Sequence, residues 1–271
     1  QSTPHVPPQV PVLPALDTAP TGRRIVAIWF PHWLSEIVMP AEKRDAPFVL
    51  AEYQRGTQRL AAVNIAAEAC GLHTGMALAD ARALVPDMHI EMLDPARGAA
   101  ALDKCARWLR RYTPWVGADT HPDSHGLLLD ISGCAHLFGG ERRMLDDMRA
   151  RFNRRGITCC IALADKIVSA WALAHYGLDS LIIAPSGHGA DAVMDLPPGA
   201  LRLPEDACNL CQRLGLDSVA ALAAFPRTSL TRRFGPYPVM RLEQALGQAG
   251  EMLNPCAVSY THLRAHETSD Y

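Results

Sequence analysis

Leu127-Leu128-Leu129-Asp130-Ile131-Ser132 is the stretch that decides the fold. Its apolar run is bounded by His125-Gly126 on one side and Gly133 on the other, the pattern of a strand buried inside a sheet. Arg24-Ile25-Val26-Ala27-Ile28-Trp29-Phe30 is a second β-rich run and Ile157 to Leu163 a third. The expectation is one sheet containing all three. Ala27 and the His125-Gly126 turn are expected close together on its exposed face.

Working outward, Phe48–Ala51 and Leu60–Val63 read as two further short strands, with a polar, turn-like Glu52–Gln58 between them. Asn64–Cys70 reads as an Ala-rich helix stopped by Gly71, and Leu78–Leu84 as another helix. Ala99–Tyr112 is an amphipathic helix with Leu102, Cys105, Ala106 and Leu109 on one face and Lys104, Arg107, Arg110 and Arg111 on the other. Arg142–Arg155 and Lys166–Tyr176 complete a set of helices alternating with strands, which gives an α+β core. After Gly177 short helical pieces are separated by Pro and Gly, the texture of a small all-α module.

The chain has 271 residues, 49% hydrophobic and 20% charged, an ordinary globular balance. Its net charge of -2 means that any contact with nucleic acid rests on local patches rather than on overall charge. No run of about 18 apolar residues suggests a membrane span, and the first 21 residues lack the pattern of a signal peptide, so a cytoplasmic protein is expected. The eight cysteines are scattered and read as free thiols. Residues 1–22 read as a Pro-rich mobile segment. Residues 255–271 read as a non-native tail, because Ala257–Thr268 has no amphipathic period and resembles translated adaptor sequence. The natural chain is expected to continue past Pro255.

Several motifs could carry chemistry. Leu214-Gly215-Leu216, followed by Ser218 as a cap, has the form of a helix-hairpin-helix whose backbone amides can hold a DNA phosphate. Arg227, Arg232 and Arg233 could add charge to that surface, and a plain helical turn with solvated arginines is the competing reading. Cys208 and Cys211 have zinc-like spacing without a second pair, so two thiols on a helix is the simpler account. His121, Asp123 and His125 lie together before the strand, but no further ligand completes a metal site. Gly133, Gly139 and Gly140 lack the Lys-Ser or Lys-Thr of a P-loop.

Four segments together resemble the Y-family of translesion DNA polymerases, and within it the ImuB-type members. These are Phe30-Pro31-His32-Trp33-Leu34-Ser35-Glu36, Asn64 to Met76, Arg111 to Val116, and Leu128 to Glu141, with Ile161 to Lys166 closing the core. The resemblance implies a ferredoxin-like palm (23–31 and 93–177), small α/β fingers (32–92) and an all-α thumb with a helix-hairpin-helix (178–254), with no little-finger domain. It also places the family's functional positions. The metal-binding carboxylates fall on Ala27, His125 and Gly126, and the nucleotide-phosphate contacts on Ile65, Glu68 and Ala170. A Glu where a cation should meet triphosphate is repulsive. Phosphoryl transfer depends on positioning and charge, so the resemblance implies a non-catalytic protein without metal or other cofactor.

The role so implied is that of a DNA-binding adaptor in DNA repair and mutagenic translesion synthesis during the SOS response. It would meet damaged or primed DNA, with Gly215, Ser218, Arg227, Arg232 and Arg233 as DNA contacts. Its partners would be an error-prone replicative-type polymerase, a RecA-like accessory protein and a sliding clamp, with no membrane. The alternatives are an active error-prone DNA-directed DNA polymerase with a metal site rearranged around Asp119, Asp123 and Asp130, and a stand-alone DNA-binding fragment.

Overall fold

A computed structural model describes residues 22–121 and 124–253. Ile25–Trp29 forms β1, whose apolar residues are buried on both faces, as required of a strand with neighbours on each edge and layers above and below. α1 (Trp33–Val38) leads into a smaller lobe made of β2 (Phe48–Gln54), β3 (Thr57–Val63), α2 (Ile65–Ala69), α3 (Leu78–Leu84) and β4 (His89–Met92). The chain then returns through α4 (Pro95–Leu109), β5 (Val116–Ala118), β6 (Gly126–Asp130), α5 (Glu141–Arg154), β7 (Cys160–Ala164), α6 (Ile167–Tyr176) and β8 (Leu181–Ile183). Four helices follow: α7 (Glu205–Arg213), α8 (Val219–Ala224), α9 (Arg227–Phe234) and α10 (Pro236–Ala245).

The main sheet has the order β5-β6-β1-β7-β8, with β1 antiparallel to both neighbours. The three apolar runs therefore share one sheet, as their sequences predict. Alternation assigns the two faces. Ile25, Ala27, Leu128, Ala162 and Ala164 pack against α6 and the four-helix module. Val26, Ile28, Leu127, Leu129, Ile161 and Leu163 pack against Trp33, α4 and α5. Ala27 is only 2% exposed, so the expectation of an exposed face at that position is corrected: α6 covers it.

The smaller sheet, β3-β2-β4, has its own core around Val49, Leu60, Leu72 and Leu78. The predicted loop at 52–58 is instead a continuous hairpin. Its ladder runs to Gln54 opposite Thr57. Arg55 (φ 49°) and Gly56 (φ 82°) form the two-residue left-handed turn that suits strand twist. The polar residues that suggested a loop lie at an exposed hairpin tip.

α4 starts four residues before its predicted start, because Asp94 accepts the Ala96 amide (3.0 Å) and Pro95 occupies the first turn. β8 also corrects the boundary expected at 178. It pairs parallel with β7 through the α6 crossover, so the all-α texture begins only after Ile183. Among the described residues no helix is long and apolar enough to cross a membrane.

Asn64 joins the smaller lobe's sheet to its helix. Its side-chain oxygen accepts from Ala67 N (2.9 Å) and Phe48 N (3.0 Å), and its amide nitrogen donates to Ala46 O (2.9 Å), all in a buried setting. Asn64→Ala loses a cap and strands a buried amide, for a cost of about 2–4 kcal/mol. A urea unfolding midpoint that does not move would show that Asn64 holds nothing together.

Candidate functional site

A cleft of about 640 Å³ opens between the end of β1 and the smaller lobe. Trp29, His32, Glu68, His73, Ser124 and His125 are among the residues that line it. One wall is set by strand register: Trp29 pairs with Gly126, and the Phe30 amide donates to His125 O (2.9 Å). Ala27 pairs with Leu128, two residues inside the sheet. The residues directly beside the His125-Gly126 turn are therefore Trp29 and Phe30, and Ala27 lies close by, two residues further along β1. Strand ends cannot be registered from an apolar run alone.

Gly126 is a constrained position. A Cβ there would stand 3.0 Å from Ile28 O and 3.3 Å from both Asp119 Cβ and Ser124 Oγ. Backbone packing thus leaves little room for any side chain at the turn.

On the opposite wall, Glu68 is exposed in α2 and its carboxylate lies 3.5 Å from His32 Nε2. His32 Nδ1 is within 3.1 Å of Val63 O. Ile65, one helical turn before Glu68, is exposed but lines a different hollow, beside Arg44 and Thr158. Ala170 is fully buried under the main sheet. The structure therefore does not bring Ile65, Glu68 and Ala170 together in the cleft.

Behind the cleft floor lies a polar network that leaves no signature in any one segment of the chain. Asp119 is 9% exposed and accepts from Ser124 Oγ (2.5 Å), Trp171 Nε1 (2.5 Å) and the His121 amide (3.1 Å). Burial by itself would raise the Asp119 pKa; the Ser124 hydroxyl, the charge of Arg202, the His121 amide and the Trp171 indole outweigh it and hold it below the ordinary value. His175 is stacked between Trp29 (4.6 Å) and Trp171 (3.9 Å), with Nδ1 at 2.9 Å from Trp171 O and Nε2 at 3.2 Å from Ser124 Oγ.

Asp130 belongs to the far end of β6, where it pairs with Arg23 (2.9 Å). Asp119 N bonds Gly126 O at the near end. Four residues of strand, about 13 Å, separate the two carboxylates' backbones. A metal site rearranged around Asp119 and Asp130 is therefore not assembled, and Asp123 lies outside the described residues. Among the described residues no group of three or more His, Cys, Asp or Glu is arranged to hold a metal. Cys211 is buried, and burial pushes its thiol up to about 11, as suits an inert core residue.

In the helical module, Gly215 adopts φ +67° after α7, and Ser218 Oγ accepts from Ala221 N (3.1 Å) to cap α8. The hairpin is present, but its amides are largely used inside the fold. Gly215 N donates to Gln212 O, Leu216 N to Cys211 O, Val219 N to Leu196 O and Ala220 N to Met194 O. The expectation that this turn offers a row of amides to a phosphate is corrected accordingly. Arg232 and Arg233 are exposed on α9, whereas Arg227 is half-buried with Nη1 enclosed and unpartnered among the described residues.

Comparison with known proteins places this geometry. Residues 30–175 match the impB/mucB/samB family. Protein ImuB of Caulobacter vibrioides is 46% identical over 183 residues, which make up 68% of this chain and 39% of that protein. The DNA polymerase IV of Pelotomaculum thermopropionicum is 22% identical over 213 residues, 76% of this chain and 51% of that one. In fold, DinB from Sulfolobus solfataricus gives a TM-score of 0.71 at 14% identity, covering 86% of this chain and 69% of that one. The insertion ternary complex of Dbh DNA polymerase gives 0.70 at 14% identity, covering 85% and 69%.

His175 makes the network sensitive to pH. Burial, its main cause, holds its pKa down to about 4, although the Trp171 carbonyl and Asp119 act the other way. The unfolded chain takes up this proton near pH 6.5 and the native state only near 4. Stability is thus expected to fall as pH drops through that window, by up to ~3 kcal/mol from this group. Denaturant midpoints at pH 7.5 and 5 measure the loss, and His175→Phe should flatten it. An equal loss in the variant would assign the titration to another group.

Proposed function

This chain belongs to the impB/mucB/samB family, and on that premise we propose that it is a DNA-binding adaptor with a polymerase shape and no polymerase chemistry. The observation that supports this reading most directly is the composition of the cleft. The strand ends that meet there carry Trp29, Phe30, His125 and Gly126, and the facing helix offers Glu68. Nucleotidyl transfer needs carboxylates to hold divalent ions and cations to hold triphosphate. The strand ends carry no carboxylate, and the facing helix presents a carboxylate, Glu68, where a cation would be needed. The nearby Asp119 is committed to Trp171, Ser124 and His121.

The adaptor would act in mutagenic translesion synthesis during the DNA damage response, bringing an error-prone replicative-type polymerase, a RecA-like accessory protein and a sliding clamp to damaged or primed DNA. The chain spans 39% of the ImuB protein it matches, so these partners are proposed for the whole protein. The DNA contribution of the part in hand is electrostatic and centres on Arg232 and Arg233. Gly215 and Ser218 shape the hairpin.

Primer extension tests the chemistry. With a primed template, all four nucleotides and Mg²⁺, no incorporation is expected. Extension that disappears in Asp119→Asn would establish an active enzyme with a rearranged site. Replacing Arg232 and Arg233 with Ala tests the DNA surface. The pair should weaken binding to all sequences alike and reduce the log-log salt slope by about one to two units. An unchanged slope would make α9 a merely solvated face.

A further inference from the structure

We propose that the outer face of α4 and α5 docks an acidic segment of a protein partner. The two helices cover the main sheet on the side away from α6 and the helical module. Residues 95–111 and 141–155 hold eleven Lys and Arg against four Asp and Glu, in a chain whose net charge is -2. An excess of that size on one side of an otherwise acidic chain sets up a local positive field. Such a field steers and selects a partner of opposite sign.

The excess is concentrated in one groove. Lys104, Arg107 and Arg111 are exposed and follow one another at three- and four-residue intervals, so they form a single stripe along α4 and the turn after it. α5 runs antiparallel beside that stripe: Tyr112 Oη donates to Asp147 (2.5 Å), and the Trp108 ring packs edge-on against Phe152 (5.5 Å). The half-buried Trp108 therefore lies between the helices. The Arg111 guanidinium approaches its ring from the end of α4 (5.3 Å) and the Arg155 guanidinium from the end of α5 (5.4 Å). Arg44 adds a further cation, with Nη2 donating to Arg155 O (2.6 Å).

Other arginines of this face are matched within it. Arg107 pairs with Asp103, Arg142 and Arg149 with Asp146, and Arg151 with Asp147. Lys104, Arg111 and Arg155 have no carboxylate partner among the described residues. Contact with an indole offsets only part of a guanidinium's charge, and two guanidiniums drawn to one ring repel each other. Carboxylates supplied from outside remove that repulsion, with Trp108 beside them as an apolar anchor. Trp, Tyr and Arg are the side chains that carry most of the energy of protein interfaces.

The pattern favours a protein over a nucleic acid. A phosphate backbone repeats its charge at every step and is met by a row of cations. Asp103, Asp146 and Asp147 are interspersed with the cations of this face, so discrete carboxylates at matching positions fit it and a continuous polyanion meets like charge. The face also looks away from α9, and the inference does not rest on the DNA contact proposed there.

The probe is a fluorescein-labelled amphipathic helical peptide with Glu along one face and Leu along the other. Its controls are the same peptide with Gln in place of Glu and a labelled duplex oligonucleotide. In fluorescence anisotropy the acidic peptide should bind and the Gln peptide should not. Arg111→Glu combined with Arg155→Glu should weaken the acidic peptide about tenfold. Both side chains are exposed, and the unfolding temperature reports whether the variant folds as the parent does. Lys104→Glu, at an exposed side chain without a partner in the fold, carries the same expectation if the double variant does not fold. Position is read separately. The chain has three lysines, Lys43, Lys104 and Lys166, so carbodiimide coupling of the bound peptide's carboxylates should mark Lys104 and spare the other two. Equal affinity for the acidic and Gln peptides overturns the proposal, as does unchanged binding in the charge-reversed variants or coupling at Lys43 or Lys166 in place of Lys104. If charge reversal weakens the oligonucleotide by the same factor as the peptide, the face belongs to nucleic acid and the assignment to a protein partner fails.

Discussion

A carboxylate removed from water must be matched on nearly every lone pair, and Asp119 meets that demand at the junction of three parts of the molecule. It follows β5, and it takes the indole N–H of Trp171 from α6 and the hydroxyl of Ser124 from the turn before β6. The charge of Arg202, from the helical module, acts on it as well. The Arg202 guanidinium lies over the Trp171 ring (4.9 Å) and pairs with Glu251 (2.9 Å), which also receives Arg241 (3.1 Å). Two arginines and two carboxylates balance inside the fold. Removing one carboxylate would leave a buried cation uncompensated, a loss on the order of 3–5 kcal/mol. The backbone bears part of the strain, because Arg202 sits at φ +57° in the left-handed region, where residues with side chains are disfavoured.

The sheet gives this junction its rigidity. β1 contributes alternate residues to two cores, one under α6 and the helical module and one under α4 and α5. At its other end, Arg24 is nearly buried and binds Glu141 (2.7 Å) and Asp165 (3.0 Å), tying the start of α5 to the end of β7. The Asp119 network and the Arg24 cluster thus lie at opposite ends of one strand.

The parts of this architecture legible in sequence were those with a local signature. β1, β6 and β7 are apolar runs, and α3 spans Leu78–Leu84 as its pattern predicts. β4, β5 and β8 are three or four residues long, too short for a period to emerge. The hairpin at 52–58 was hidden because an exposed tip and a loop share a polar composition. At the cleft, the His125-Gly126 turn was readable from its neighbouring strand, but its true neighbours, Trp29 and Phe30, depend on the pairing of two strands far apart in the chain. The Asp119 network was invisible for the same reason. Asp119, Trp171, Arg202 and Glu251 are brought together only by the tertiary fold, and pairings between distant residues leave no mark on any one segment.

Gly126 has a further consequence for the turn it occupies. A Cβ at 126 would stand against the Ile28 carbonyl, with Asp119 and Ser124 alongside. Any larger residue would ask those neighbours to give by a few tenths of an ångström, and two of them belong to the Asp119 network. The bare glycine thus works as a spacer: what the cleft rim can carry and how the buried carboxylate is held are settled by the same gap.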